Sequence, residues 1–321
     1  MIDLETLESA AALVRRAMPP TPQYCWPLLS RRIGAELWVK HENHSPIGAF
    51  KIRGGLVYLD EVKRSQPDIC GVVTATTGNH GQSIALAATR LGLAATIVAP
   101  FGNSVEKNRA MEGFGATLVE AGRDFQAAYE HAVALAERER LHLVRSYHAL
   151  LVRGVASYAL ELFRAVHDLD TVYVPIGLGS GICGVIAARE ALGLTVEIVG
   201  VVAEGAPTYA LSFAAGAPVS TNSADTMAGG LAVRVPDPEA LDIICRGAAR
   251  IVTVSEAEIR RAMRILFTDT HNIAEGAGAA PLAAALHERD RLSGKRIAVI
   301  QSGGNIDRNV FAEILAEEDP D

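Results

Sequence analysis

Short, nearly unbroken apolar runs alternate with longer helix-period stretches along almost the whole chain. The runs at Glu36–Glu42, Gly71–Thr76, Ala95–Pro100, Thr117–Ala121, Leu141–Ser146, Thr171–Gly177, Glu197–Ala203, Arg250–Val254 and Arg296–Ser302 read as strands. Between them, His80–Leu91, Val105–Phe114, Phe125–Glu139, Val155–His167, Ile182–Leu192, Glu256–Thr270, Ala279–Glu288 and Asn305–Glu317 read as helices. A strand with little polar alternation is covered on both faces, and parallel neighbours need the crossover that a helix supplies. The pattern therefore predicts an α/β fold of parallel sheets, whose ligands gather beyond the C-terminal ends of the strands. Residues 204–236 break the rhythm and read as an excursion carrying a short helix; the acidic C-terminus reads as a frayed tail.

At 321 residues the chain suits one large domain or two intertwined ones. A net charge of −7 argues against non-specific nucleic-acid binding, which needs clustered Lys and Arg. Cys25, Cys70, Cys183 and Cys245 form no CxxC pair and read as buried free thiols of a reducing compartment. The acidic start MIDLETLESAAALVRRAM lacks the apolar segment of a signal peptide. Thr171–Ala188 is uncharged and long enough to span a bilayer, but it holds Pro175 and four glycines and reads as strand, turn and helix.

Four segments beside strand ends carry the polar chemistry. SPIGAFKIRGG, Ser45–Gly55, sets Lys51 among small residues, with Gly48 and Ala49 before Phe50 and Gly54 and Gly55 after it. Glycines admit close approach of another body, and low polarity would depress the lysine pKa as an imine-forming amine requires. An exposed lysine at a helix start also fits. TATTGNHGQS, Thr74–Ser83, places Thr76, Thr77, Gly78, Asn79 and His80 where a strand gives way to a helix. Backbone N–H groups there attract a carboxylate-sized anion, with plain helix capping as the alternative. In IGLGSGICG, Ile176–Gly184, Gly177, Gly179 and Gly181 let backbone amides converge and Ser180 adds a hydroxyl, which suits a phosphate. Gly179, Gly181 and Gly184 also satisfy GxGxxG, with Glu204 about 20 residues further on, so a NAD site is a rival reading. IQSGGNID, Ile300–Asp307, ends a strand at Ser302, turns through Gly303 and Gly304 and opens a helix at Asn305. Ser302 could meet a ring nitrogen or sit in an ordinary tight turn.

Taken in order, the four segments resemble the fold-type II pyridoxal-phosphate enzymes, specifically their serine/threonine dehydratase branch, over residues 20–310. IAEGAGAAPLAAAL (Ile273–Leu286) and TMAGGLAV (Thr226–Val233) are weaker matches to the same family. The resemblance implies two open, mostly parallel twisted sheets with helices on both faces. A large cofactor-binding domain would comprise residues 1–49 and 146–321, with a small substrate-binding domain, residues 50–145, inserted in it. The implied cofactor is pyridoxal 5'-phosphate, joined by an imine to Lys51, which also moves the substrate Cα proton. Phe50 would pack beside the cofactor and Asn79 would bond its ring hydroxyl. Gly177, Leu178, Gly179, Ser180 and Gly181 would hold the phosphate, and Ser302 would meet the pyridine nitrogen. Thr76, Thr77, Gly78, Asn79 and His80 would bind the substrate carboxylate. The implied reaction takes water and then ammonia from a β-hydroxy amino acid. The implied setting is a cytoplasmic homodimer with an amino-acid substrate and no nucleic-acid or membrane partner.

Departures from the family pattern surround the substrate. Thr76-Thr77 stands for the usual Ser-Ser, and the serine that acts as second-face base in serine racemases falls at Thr77, which disfavours racemisation. Ile47 replaces a Thr, Gly154-Val155-Ala156-Ser157 replaces GQGT, and Gly229 replaces the Asp of an ADG motif. Metal-binding relatives use an acidic cluster after the strand ending at Glu204; Thr208 and Ala210 follow here, so no metal site is expected. Threonine, serine, hydroxyaspartate and phenylserine-type substrates all stay open. So do racemisation and β-replacement and, more distantly, a NAD-dependent oxidoreductase or non-catalytic amino-acid binding. The oxidoreductase leaves Lys51 and the SGGN segment unexplained. The chain also ends soon after Gly304, so no regulatory domain is expected.

Overall fold

The computed structural model describes residues 2–318. Its strands are β1 (Gln23–Cys25), β2 (Glu36–His41), β3 (Gly71–Ala75), β4 (Ala94–Ala99), β5 (Thr117–Glu120), β6 (His142–Leu143), β7 (Thr171–Pro175), β8 (Glu197–Ala203), β9 (Arg250–Val254) and β10 (Arg296–Gln301). The first helices are α1 (Leu4–Ala17), α2 (Pro27–Ile33), α3 (Lys51–Ser65), α4 (Asn79–Arg90), α5 (Val105–Gly113), α6 (Phe125–Glu139) and α7 (Ala149–Ala165). They are followed by α8 (Ser180–Ala191), α9 (Thr208–Ala215), α10 (Pro238–Gly247), α11 (Glu256–Thr270), α12 (Gly276–His287) and α13 (Arg308–Leu315). One sheet has six strands in the order β1-β2-β10-β7-β8-β9, and the other has four in the order β5-β4-β3-β6. Every pairing is parallel except that of β1 with β2.

Successive side chains of a strand point to opposite faces, and both faces here are apolar. Ile297 and Val299 of β10 enter one core with Leu37, Val39 and Tyr173, while Ala298 and Ile300 enter another with Val172 and Val174. Val72 and Val73 of β3 divide in the same way between the two cores of the smaller sheet. Each buried Val, Leu or Ile among them contributes about 1.5–3 kcal/mol on burial, which is why these strands read as unbroken apolar runs.

Some expected boundaries move. α7 starts at Ala149 rather than Val155, because His148 accepts the Leu150 N–H and caps it. The helix expected from Asn305 starts at Arg308, since Asn305 turns its side chain into the molecule instead. The expected frayed tail at 319–321 lies outside the described residues. Of the four cysteines only Cys183 is buried; Cys70 and Cys245 are exposed, contrary to the expectation of buried thiols. Among the described residues no helix is long and apolar enough to cross a membrane.

α3 and α7 cross backbone to backbone. A Cβ on Gly154 would overlap the carbonyl oxygen of Arg53 and stand 2.9 Å from the Gly54 Cα. Neither atom belongs to a flexible side chain, so Gly154→Ala is expected to cost about 1–3 kcal/mol. Urea unfolding measures it, and an unchanged midpoint would contradict the crossing.

Candidate active site

β2 leads through Ser45–Phe50 to Lys51, the first residue of α3. Gly48 turns the chain at φ +69°, and a Cβ there would stand 2.7 Å from Asn305 Oδ1. Phe50 N donates to Ser302 O at 3.0 Å, and Gly304 N donates to Gly48 O at 2.9 Å. Ser83 Oγ of α4 donates to the Lys51 carbonyl at 2.7 Å. These bonds draw the lysine segment, the turn after β10 and the start of α4 together. The glycine loop joins them through the side chain: Lys51 Nζ lies 3.3 Å from Ser180 Oγ and 5.1 Å from the Phe50 ring centroid. Lys51 therefore faces inward, which removes the exposed-lysine alternative. Burial lowers its pKa to about 8, with Glu275 pulling the other way.

The glycine loop follows β7. Gly179, at φ +100°, caps α8, and a Cβ on Gly177 would overlap the Gly230 carbonyl. Tyr209 OH donates to Leu178 O at 3.0 Å and accepts from Asp237 N at 3.0 Å, so the 204–236 excursion braces the loop. Phe50 packs edge-on against Tyr158, whose hydroxyl donates to Gly181 O at 3.1 Å. The third glycine of the GxGxxG match serves packing: a Cβ on Gly184 would stand 2.9 Å from Ala156 N of α7. Glu204 is exposed at the end of β8. Among the described residues no group of three or more His, Cys, Asp or Glu is placed to hold a metal ion.

In the turn after β3, Thr76 Oγ1 accepts the Gly78 N–H at 3.0 Å and keeps its own proton to donate; Thr77 is exposed. His80 is buried, and burial together with the Lys51 charge lowers its pKa to about 3, so the ring is neutral. Among the described residues its Nε2 has no hydrogen-bond partner. The orientation of Asn79 follows from its neighbours. Asn305 Nδ2 donates to Ile47 O at 2.8 Å, which fixes that amide, and also to Asn79 Oδ1 at 2.8 Å. The Asn79 nitrogen therefore faces Glu275 Oε1, to which it donates at 2.7 Å, and one of its two hydrogens is left over. Burial raises the Glu275 pKa, while Lys107, Asn79 and Lys51 pull it back.

Lys51, Phe50, Ser180 and Ser302 thus lie together, and Asn305 links Asn79 to the segment that leads to Lys51. Glu275, Asn305 and Lys107 join these residues without a motif that marks them. Glu275 lies within IAEGAGAAPLAAAL and Asn305 within the SGGN turn, but nothing in either motif says that their side chains meet Asn79.

Known proteins are similar along the whole chain. A family model described as pyridoxal-phosphate dependent enzyme matches residues 14–303. An L-threonine ammonia-lyase of Thermotoga maritima is 33% identical over 98% of this chain and 78% of its own length. An L-threo-3-hydroxyaspartate ammonia-lyase of Saccharomyces cerevisiae is 31% identical over 96% and 94%. The structure of maize serine racemase superposes with a TM-score of 0.90 at 27% identity, covering 97% of this chain and 96% of that one. Family match, relatives and the inward lysine agree: the chain belongs to the pyridoxal-phosphate dependent enzymes.

Proposed function

We propose that this protein is an ammonia-lyase of the dehydratase type, converting a β-hydroxy amino acid of the threonine or serine kind to a 2-oxo acid and ammonia. The observation that carries this is the inward amine of Lys51, 3.3 Å from Ser180 at the glycine loop. The relatives named for threonine and for hydroxyaspartate keep both substrate types in view.

The residues fit pyridoxal phosphate. The glycine loop has no room for a Cβ at 177 and ends in the free N–H groups of α8. Asn79 has a donor left for the ring hydroxyl, and Ser302, just past β10, lies beside Phe50. When bound, the cofactor withdraws electrons from the substrate α-carbon, making its proton acidic and the β-hydroxyl expellable. Lys51 would hold the group covalently and then move the α-proton. Gly177–Gly181 would bind the phosphate, Phe50 would flank the ring and Ser302 would meet its nitrogen. Thr76, Thr77, Gly78, Asn79 and His80 would hold the carboxylate and fix the Cα–H bond for transfer. Water leaves across Cα–Cβ, and the released enamine hydrolyses to the 2-oxo acid and ammonia. Residues 50–145 would form the smaller, substrate-binding domain of a cytoplasmic homodimer.

Purified protein given the cofactor should turn yellow, and borohydride should fix the group to Lys51. It should then release 2-oxo acid and ammonia from at least one member of a panel holding threonine, serine, hydroxyaspartate and phenylserine. A protein that stays colourless refutes the cofactor site. A coloured one that only interconverts enantiomers is a racemase.

The lysine pKa gives a second expectation. Only the neutral amine attacks an aldehyde, so cofactor attachment to the free chain should speed up as pH rises to about 8 and then level off. Stopped-flow absorbance measures this; a rise continuing to the ordinary 10.5 would mean the amine is not buried.

A further inference from the structure

Given the ammonia-lyase reading, on which this rests, we propose that Lys107 supplies the cationic half of the substrate-carboxylate subsite, facing the N-terminus of α4. Lys107 lies in the first turn of α5. Ser104, the N-cap, accepts the Lys107 N–H at 3.1 Å and donates to Asp307 Oδ1 at 2.5 Å, so this turn is tied to the segment that precedes α13. The Lys107 side chain lies along the open face of Gly78. A Cβ on Gly78 would stand 3.1 Å from Lys107 Cδ and 3.9 Å from its Nζ. The ammonium therefore hangs beside Gly78, within the turn formed by Thr76–His80.

Lys107 Nζ makes no hydrogen bond or ion pair among the described residues. Its electrostatic partner is Glu275, whose Oε1 is already bonded to Asn79. Lys107 also lines a cavity of about 120 Å³, in which it is the single cation among the described residues, against Glu275 and Asp307; residues 76–80 do not line it. A carboxylate held at the Thr76–His80 turn has the Glu275 carboxyl beside it, bonded to Asn79. The N–H groups of the α4 turn attract a carboxylate, and the half-buried Lys107 adds a full positive charge against Glu275. A Cβ at position 78 would require the Lys107 side chain to shift by a few tenths of an ångström.

The test uses the holoenzyme and two variants, Lys107→Met and Lys107→Arg. A hydrogen bond between charged groups is worth enough that Lys107→Met should raise KM for threonine about tenfold or more, while kcat falls less than about threefold. 3-Hydroxybutyrate keeps the carboxylate and hydroxyl but has no amine to react. Its dissociation constant, read by calorimetry, should rise by the same factor. Lys107→Arg should restore most of both. Unchanged KM and unchanged 3-hydroxybutyrate affinity in Lys107→Met overturn the proposal, as does a loss confined to kcat. So does a loss confined to dicarboxylic substrates, which would assign Lys107 to the side chain. The calorimetry does not depend on turnover: a wild-type protein that deaminates nothing refutes the ammonia-lyase reading, while the binding comparison still decides the role of Lys107.

Discussion

Lys51→Ala is expected to abolish deamination while leaving the fold intact. Loss of a positioned base alone costs about 10²–10⁴ in rate, and loss of the covalent attachment point adds to it. The fold should hold because among the described residues the amine makes one hydrogen bond, at 3.3 Å to Ser180, and no ion pair, and it is desolvated. Burying a cation in that way gives no stability to lose. Lys51→Arg should fail as well, since a guanidinium does not become neutral at any accessible pH. The measurements are 2-oxo acid release, the visible absorbance of protein plus cofactor, and the urea midpoint. Activity above about one hundredth of wild type in Lys51→Ala would remove the lysine from the chemistry, because even the weakest general base is worth more.

The largest effect on stability is expected two residues along the same helix. Arg53 is fully buried and donates to both oxygens of Glu42, at 2.7 and 3.0 Å, and to both oxygens of Glu161, each at 2.8 Å. It also donates to Ser157 and Thr21, while Lys40 Nζ reaches Glu161 at 2.7 Å. Two cations and two carboxylates thus balance between β2, α3 and α7. Arg53→Met leaves Glu42 buried with Thr21 as its remaining side-chain donor. Removing one partner of such a group costs about 3–5 kcal/mol. Adding Glu42→Gln should recover part of that loss, because the cost lies in the uncompensated charge. Denaturant unfolding of the single and double variants decides it: a loss below about 1 kcal/mol, the range of exposed pairs, would contradict the burial.

Much of the fold is legible because buried parallel strands have no polar face to disguise them. β3 and β10 are almost wholly apolar, and their ends lead straight into the glycine and hydroxyl turns. β1 leaves no mark in the sequence, since three residues at a sheet edge carry no period. α3 was hidden by Gly54 and Gly55, each about 1 kcal/mol less favourable in a helix than alanine. Tertiary packing overrides that preference: Gly54 meets the Leu151 backbone of α7, and Gly55 lies against Ser83 of α4.

Residue order alone settles which chemistry is on hand: a lysine among small residues, three glycine-bearing strand ends, and a serine closing the last strand. That much is local, because turns and helix starts are built from neighbours in the chain. The partners of those groups are not local. Asn79, Lys107, Glu275 and Asn305 come from four separate elements, and their shared role appears only when the two sheets close on one another. A carboxylate acts through what lies within a few ångströms of it, and no periodicity along the chain records that distance.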